Sequence, residues 1–246
     1  MKKLIPFVAL LLLCFSVSAQ KDSSSKLGGL FKKASSVLSK NSSAGSGLST
    51  GEIVSGLKQA LELGAQKSTD KLSAPDGFFK DAAVKILLPK QVQDIEKKMR
   101  MLGMGKLVDN AELSMNRAAE DASKSAAPIF LSAIKQMTVT DALNILRGTD
   151  TAATTYLRKT TTVQLTSAFM PIVEESLKKT DAAKYWKDVF TAYNRFSSKP
   201  VDTDINSYVT GKALDGIFHY VAQEEVNIRE NPAGRVTDVL KKVFAK

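Results

Sequence analysis

Along most of the chain, apolar side chains recur at i, i+3, i+4 and i+7, the period of an amphipathic α-helix. The first clear stripe is Ile53, Leu57, Ala60, Leu61 and Gly64. Ser49 and Glu52 open it as a capping box, with Leu48 and Ile53 placed to form a hydrophobic staple. This helix yields to a turn at Ala74-Pro75-Asp76-Gly77. Phe78 to Leu88 is ambiguous: Val84-Lys85-Ile86 alternates like a short extended piece, yet nothing in the sequence offers it a partner strand.

Pro89 suits the first position of a helix that turns Val92, Ile95, Met99 and Leu102 inward and stops at Gly103. From Lys106 the stripe is Val108, Ala111, Met115, Ala118, Ala119 and Ala122, small side chains that let neighbouring helices approach closely. Pro128 opens a shorter apolar helix with Phe130, Leu131, Ile134 and Met137. The stretch Thr138 to Arg158 then specifies a corner. Thr138 and Asp141 form a second capping box, Gly148 is placed as a left-handed helix stop, and Asp150 as the N-cap of the helix carrying Tyr156, Leu157 and Arg158.

Pro171 interrupts that long helical pattern and predicts a kink or break near Met170. Asp181 is placed to cap an aromatic helix with Tyr185, Trp186, Val189, Tyr193 and Phe196, followed by a loop through Lys199-Pro200. A helix with Leu214, Ile217, Phe218, Val221 and Ile228 follows, and Asn231-Pro232 begins a last one with Val236, Val239, Leu240, Val243 and Phe244. The expected fold is therefore all-α, an irregular single-domain bundle of about eight or nine helices over residues 48–246 with no significant sheet. No repeat period argues for a solenoid.

The two ends differ from this pattern. Lys2 and Lys3, the apolar run Leu4 to Phe15 and the small residues Val17-Ser18-Ala19 read as a cleaved secretory signal over residues 1–19. The run is shorter than the roughly 20 residues a spanning helix needs. Acylation at Cys14 would want a small residue where Leu13 stands. Residues 20–47 shift to Ser, Gly and Lys, the composition of a linker. Within them Leu27, Leu30, Phe31, Ala34, Val37 and Leu38 recur at helical spacing among Lys26, Lys32, Lys33 and Lys40. Two readings stay open, an interfacial helix on an anionic membrane, and a marginal helix that straps onto the domain or stays disordered; the second weighs more because so short a helix is weak in water.

Signal removal changes the charge and the cysteine count. The chain carries 35 Lys and Arg against 25 Asp and Glu, a net +10, and loss of Lys2 and Lys3 leaves 33 against 25, or +8. The single cysteine, Cys14, leaves as well, so the expected mature protein is held by its core with no disulfide. Outside the cytoplasm a basic protein meets lipid headgroups and acidic polymers rather than nucleic acid, although solubility alone accounts for the charge more simply.

Several blocks are similar to one known family: LGMGKLVDNAELSMNRAAEDA from Leu102, PIFLSAIKQMTVTDALNILRG from Pro128, AATTYLR from Ala152, YVTGKALDGIF from Tyr208 and EEVNIRENPAGR from Glu224. In this order they resemble the bacterial domain-of-unknown-function family numbered 4197, from Leu48 to Phe244. The resemblance implies an exported, mostly helical domain and supplies no catalytic residues.

Chemistry has few footholds in this sequence. Two carboxylates fall on apolar stripes: Glu112 with Val108, Met115 and Ala119, and Glu225 with Leu214, Val221 and Ile228. A buried carboxylate wants a partner, and Arg147, Arg158 and Arg229 are the candidate cations, with Asn116 and Tyr156 as polar neighbours. These seven residues form the polar-cluster candidates. Structural ion pairs are the favoured reading over a catalytic cleft. His219, the one histidine, reads as a partly buried aromatic position beside Phe218 and Tyr220. One histidine without mature thiols argues against zinc, Asp202-Thr203-Asp204 reads as helix caps rather than a calcium loop, and no GxSxG elbow occurs. The Thr-rich run Thr149 to Thr162 is a poor anion site, since Asp150 already sits at that helix start.

The expected protein is therefore an exported, periplasmic or secreted envelope protein without cofactor or metal. It would be a non-catalytic binding or interaction module for a protein, an apolar ligand or an anionic membrane surface. Leu27, Leu30, Phe31, Lys32, Lys33 and Leu38 are the candidate contacts. The alternative is a carboxylate-dependent hydrolase or lyase using Glu112 or Glu225.

Overall fold

The computed structural model describes residues 49–180 and 204–230, with Trp186, Lys187, Phe190, Thr191, Asn194 and Pro200 between them. The signal, the Ser/Gly/Lys-rich segment, Leu48 of the expected staple and the expected last helix all lie outside the described residues.

Seven α-helices are described: α1 (Thr50–Ser73), α2 (Gln93–Met101), α3 (Gly105–Ser123), α4 (Ala126–Gln136), α5 (Val139–Arg147), α6 (Ala152–Lys178) and α7 (Ile205–Glu230). A 3-10 turn, Lys90–Val92, leads into α2. Among the described residues there is no strand. The count is below the eight or nine expected, partly because the aromatic helix and the one after Pro232 fall largely or wholly on other residues; of the former, Trp186, Phe190 and Asn194 are helical.

The two long helices α6 and α7 pack on each other and both pack on α3, while α1 lies across α7 and α4. Phe78, Phe130, Phe169 and Phe218 are all fully buried in the common core. Phe130 and Phe218 meet edge-on, 5.7 Å between centroids. Burying a side chain of this kind contributes about 1.5–3 kcal/mol. The small-residue stripe of α3 makes its centre accessible to neighbours: Ala118, Ala119 and Ala122 are completely covered.

Both capping boxes form as the sequence specifies. Ser49 and Glu52 exchange backbone and side-chain bonds at the start of α1, and Thr138 and Asp141 do so at the start of α5. Asp204 accepts from the amides of Asn206 and Ser207 at 2.9 and 3.2 Å and so caps α7.

Four local expectations are corrected. Gly148 ends α5 at φ −78°, ψ −171°, an extended conformation open to any residue. Its requirement is for space, since a Cβ there would lie 2.6 Å from that of Ala152. Asp150 is not the cap of α6; Thr151 holds that position and makes no side-chain cap bond. Pro171 sits inside an unbroken α6, whose continuation past it is secured by Phe169, Val173 and Leu177, all fully buried. Leu102 points outward and is 77% exposed, because α2 ends one residue earlier and Gly103, at φ +79°, turns the chain back toward α3.

Candidate functional site

Between α1 and the 3-10 turn, residues 74–89 cross the surface without regular secondary structure of their own. Such a segment needs partners for its backbone groups, and α3 supplies them from Asn116 and Glu120, which with Glu112 form one line of side chains spaced four apart on a single face. Glu120 is 4% exposed and accepts the amides of Phe78 and Phe79 at 3.1 and 3.2 Å. Its other oxygen meets Arg117 at 2.6 Å, and Arg117 reaches on to Asp76, whose φ of +68° makes the sharp turn.

One turn earlier, Asn116 is fully buried and bonded twice to Ile86. It accepts from the Ile86 amide and donates to the Ile86 carbonyl, both at 2.8 Å. The side-chain amide thus does for Ile86 what a neighbouring strand would do, while the amides of Val84 and Lys85 are held in a turn by the Asp81 carbonyl. At the end of the line Glu112 lies 3.6 Å from Lys85. Burial pushes the Glu112 carboxyl above its usual range, with Lys85 opposing.

The segment is also tied to α1 and α7. Tyr220 donates a hydrogen bond to Asp81, Lys71 lies 3.1 Å from the same carboxylate, and the Lys71 ammonium sits 3.8 Å above the Tyr220 ring. Burial works against ionised Asp81, but the bonds from Tyr220 and Lys71 outweigh it and hold the carboxyl below its ordinary value. Tyr208 donates to the Leu87 carbonyl at 2.7 Å, and burial pushes its phenol up to about 12.

Held in this way, residues 83–90 form one wall of a cleft of about 620 Å³ whose other wall is the exposed side of α7. Apolar and cationic groups share the lining: Leu87, Leu88 and Tyr208 with Lys85, Lys90 and Lys212. Among the described residues neither Lys90 nor Lys212 has a carboxylate partner. Asp215, also in the cleft, is 3.5 Å from Arg158, which lies over the Phe218 ring at 4.3 Å. His219 lines the cleft too; it is exposed, in contrast to the partly buried position expected, because Phe218 and Tyr220 take the inward directions of α7.

The second acid on an apolar stripe is elsewhere. Glu225, 5% exposed, takes the amides of Ala153 and Thr154 at 2.9 and 2.8 Å and the Thr154 hydroxyl at 2.8 Å. Arg229 lies 2.9 Å from it and also donates to the Ile145 carbonyl at the end of α5. Glu225 therefore caps α6 from across the bundle, and the pair locks the α5–α6 corner. Five of the seven polar candidates fall in three places: Glu112 with Asn116 under the cleft wall, Glu225 with Arg229 at the corner, and Arg158 at the cleft edge. Arg147 is exposed, and Tyr156 is half-buried with its phenol raised by burial and by nearby Asp141. The six candidate contacts from Leu27 to Leu38 lie outside the described residues.

Sequence reasoning passed over Glu120, although it continues the spacing of Glu112 and Asn116 by one more turn. Asp81, Tyr220 and Tyr208 gave no signal, since their partners are 139 and 121 residues distant, and Lys212 reads as an ordinary exposed lysine. No group of His, Cys, Asp and Glu suited to a metal ion occurs among the described residues. No described helix is long and apolar enough to cross a membrane.

Compared with known proteins, residues 47–245 match the family described as protein of unknown function (DUF4197), and the chain belongs to that family. No curated protein and no solved structure matches it.

Proposed function

We propose that this member of the family is an exported envelope protein and a non-catalytic binding module. Its ligand site is the cleft between residues 83–90 and α7, and its ligand is an amphiphile with an apolar body and an anionic head. The carrying observation is the cleft itself: about 620 Å³, with Leu87, Leu88 and Tyr208 beside Lys85, Lys90 and Lys212. Small-molecule sites fall at roughly 300–1,000 Å³ and are mainly apolar with a few placed polar groups. The carboxylate-dependent hydrolase or lyase is less well supported. Glu225 is committed to three donors of α6 and to Arg229, and Glu112 lies behind the wall, outside the cleft lining.

Isothermal titration of the purified protein with decanoate, decyl phosphate and decanol tests the reading. The two anions are expected to bind and decanol to bind at least tenfold more weakly, with Lys212→Glu reducing the anions to the level of decanol. Equal weak binding of all three, or no effect of Lys212→Glu, would overturn it.

A further inference from the structure

The hairpin of α2 and α3 ends in an apolar apex that the other described residues leave uncovered. Met101 and Leu102 are 78% and 77% exposed and Met104 is 45% exposed, three large side chains around the Gly103 turn. No residue of α2 is fully buried, and the helix rests mainly on α3. At its base Ile95 and Met99 close an apolar gap with Trp186 and Phe190, so the hairpin is footed there and free at its tip. Just behind the tip Arg100 bonds Glu96 at 2.9 Å and Asp109 at 2.8 Å, tying α2 to α3.

Charge follows the apex. Between residues 97 and 106 there are four cations, Lys97, Lys98, Arg100 and Lys106, and no acid. Lys98 and Lys106 are exposed and without a carboxylate partner among the described residues. A narrow convex tip with methionine and leucine at its end and lysines behind fits a surface that is apolar beneath and anionic above. Such tips enter the headgroup layer by burying apolar area while lysines meet anionic lipid. Methionine suits the task, being unbranched and adaptable to a disordered surround.

We propose that the α2–α3 apex, Met101 to Met104, is a shallow membrane-docking element that inserts into the interface of anionic bilayers, with Lys98 and Lys106 contacting the headgroups. It is independent of the ligand cleft, and the cleft variant Lys212→Glu retains it.

Vesicle flotation of the whole protein tests this against phosphatidylcholine vesicles with and without 30% phosphatidylglycerol. Wild type is expected to float with the anionic vesicles and to be released by salt, since screening shortens the reach of the lysines. The combined variant Met101→Ser, Leu102→Ser and Met104→Ser is expected to lose at least tenfold in partitioning with an unchanged circular dichroism spectrum, its side chains being exposed. Lys98→Glu with Lys106→Glu should remove the preference for the anionic vesicles. An environment-sensitive dye on Leu102→Cys, in a chain with Cys14→Ser, should shift to the blue on vesicle addition. Flotation of the serine variant equal to wild type would overturn the proposal. So would a dye shift that follows protein concentration instead of lipid, which would make the apex a protein contact.

Discussion

Glu225 and Ala153 are joined by a 2.9 Å bond between a carboxylate of α7 and the first turn of α6, across 72 residues of sequence. A carboxylate at a helix N-terminus satisfies orphan amides and meets the positive end of the dipole. Here the same group also neutralises Arg229, itself 11% exposed at the side chain. Glu225→Gln keeps one acceptor but removes the charge that Arg229 meets at 2.9 Å. Removing one member of a buried pair typically costs about 3–5 kcal/mol. Urea denaturation is expected to show a loss near the lower end of that range, with ligand affinity per folded molecule unchanged.

Asn116→Ala removes both partners of the Ile86 backbone, which is buried and has no strand beside it. Each unsatisfied buried group costs about 1–3 kcal/mol. The expected result is a loss of about 2–4 kcal/mol by urea denaturation, together with faster hydrogen exchange at the Ile86 amide. Asn116→Asp keeps the acceptor for the amide but sets a buried carboxyl group against the Ile86 and Glu112 carbonyls, and is expected to be less stable at pH 7 than at pH 4.

Glu112 gives stability a pH dependence of unusual sign. Burial raises its folded carboxyl above the ordinary 4.5, so the folded state holds the proton more tightly than the unfolded. That contribution is present below the unfolded value and is lost as pH rises through the folded one. Glu112→Gln, which carries no charge, escapes the loss. Its stability relative to wild type is expected to be greater at pH 7 than at pH 4, and a constant difference would show that Glu112 does not titrate in this way. Asp81, held low by Tyr220 and Lys71, acts oppositely and loses its contribution as pH falls.

Two glycines test the difference between space and conformation. Gly148→Ala would place a Cβ 2.6 Å from Ala152 Cβ and 3.0 Å from the Asn144 carbonyl, and overpacking of this kind costs about 1–3 kcal/mol. Gly211, exposed on α7 with nothing within 4 Å, should gain about 0.5–1 kcal/mol on replacement by alanine. Thermal unfolding of the two variants should shift in opposite directions.

What the sequence revealed was mostly local. The two capping boxes join residues three apart, and the apolar stripes repeat within single helices, so both are written in adjacent letters. Leu102 fitted the inward stripe of its helix but lay one residue past its end. Pro171 was read by its own preference for breaking helices, which packing of Phe169 and Val173 overrode. The capping of α6 was assigned to Asp150, its neighbour in sequence, whereas the group that performs it comes from α7. Glu112 stood out by its stripe and Asn116 as a polar neighbour, yet their task, holding residues 74–89, depends on a segment with no pattern of its own.

The reach of Glu225 also ties the α5–α6 corner to a distant part of the chain. The first turn of α6 has no acidic residue, and its N-cap residue makes no side-chain bond. Its anchor lies 72 residues further along the chain. Without it the α5–α6 corner has only its local backbone bonds, such as Gly148 to the Ile145 carbonyl and Ala152 to the Thr149 carbonyl. The corner is consequently completed only by α7, and a chain ending short of Glu225 is expected to hold the α5–α6 junction less tightly.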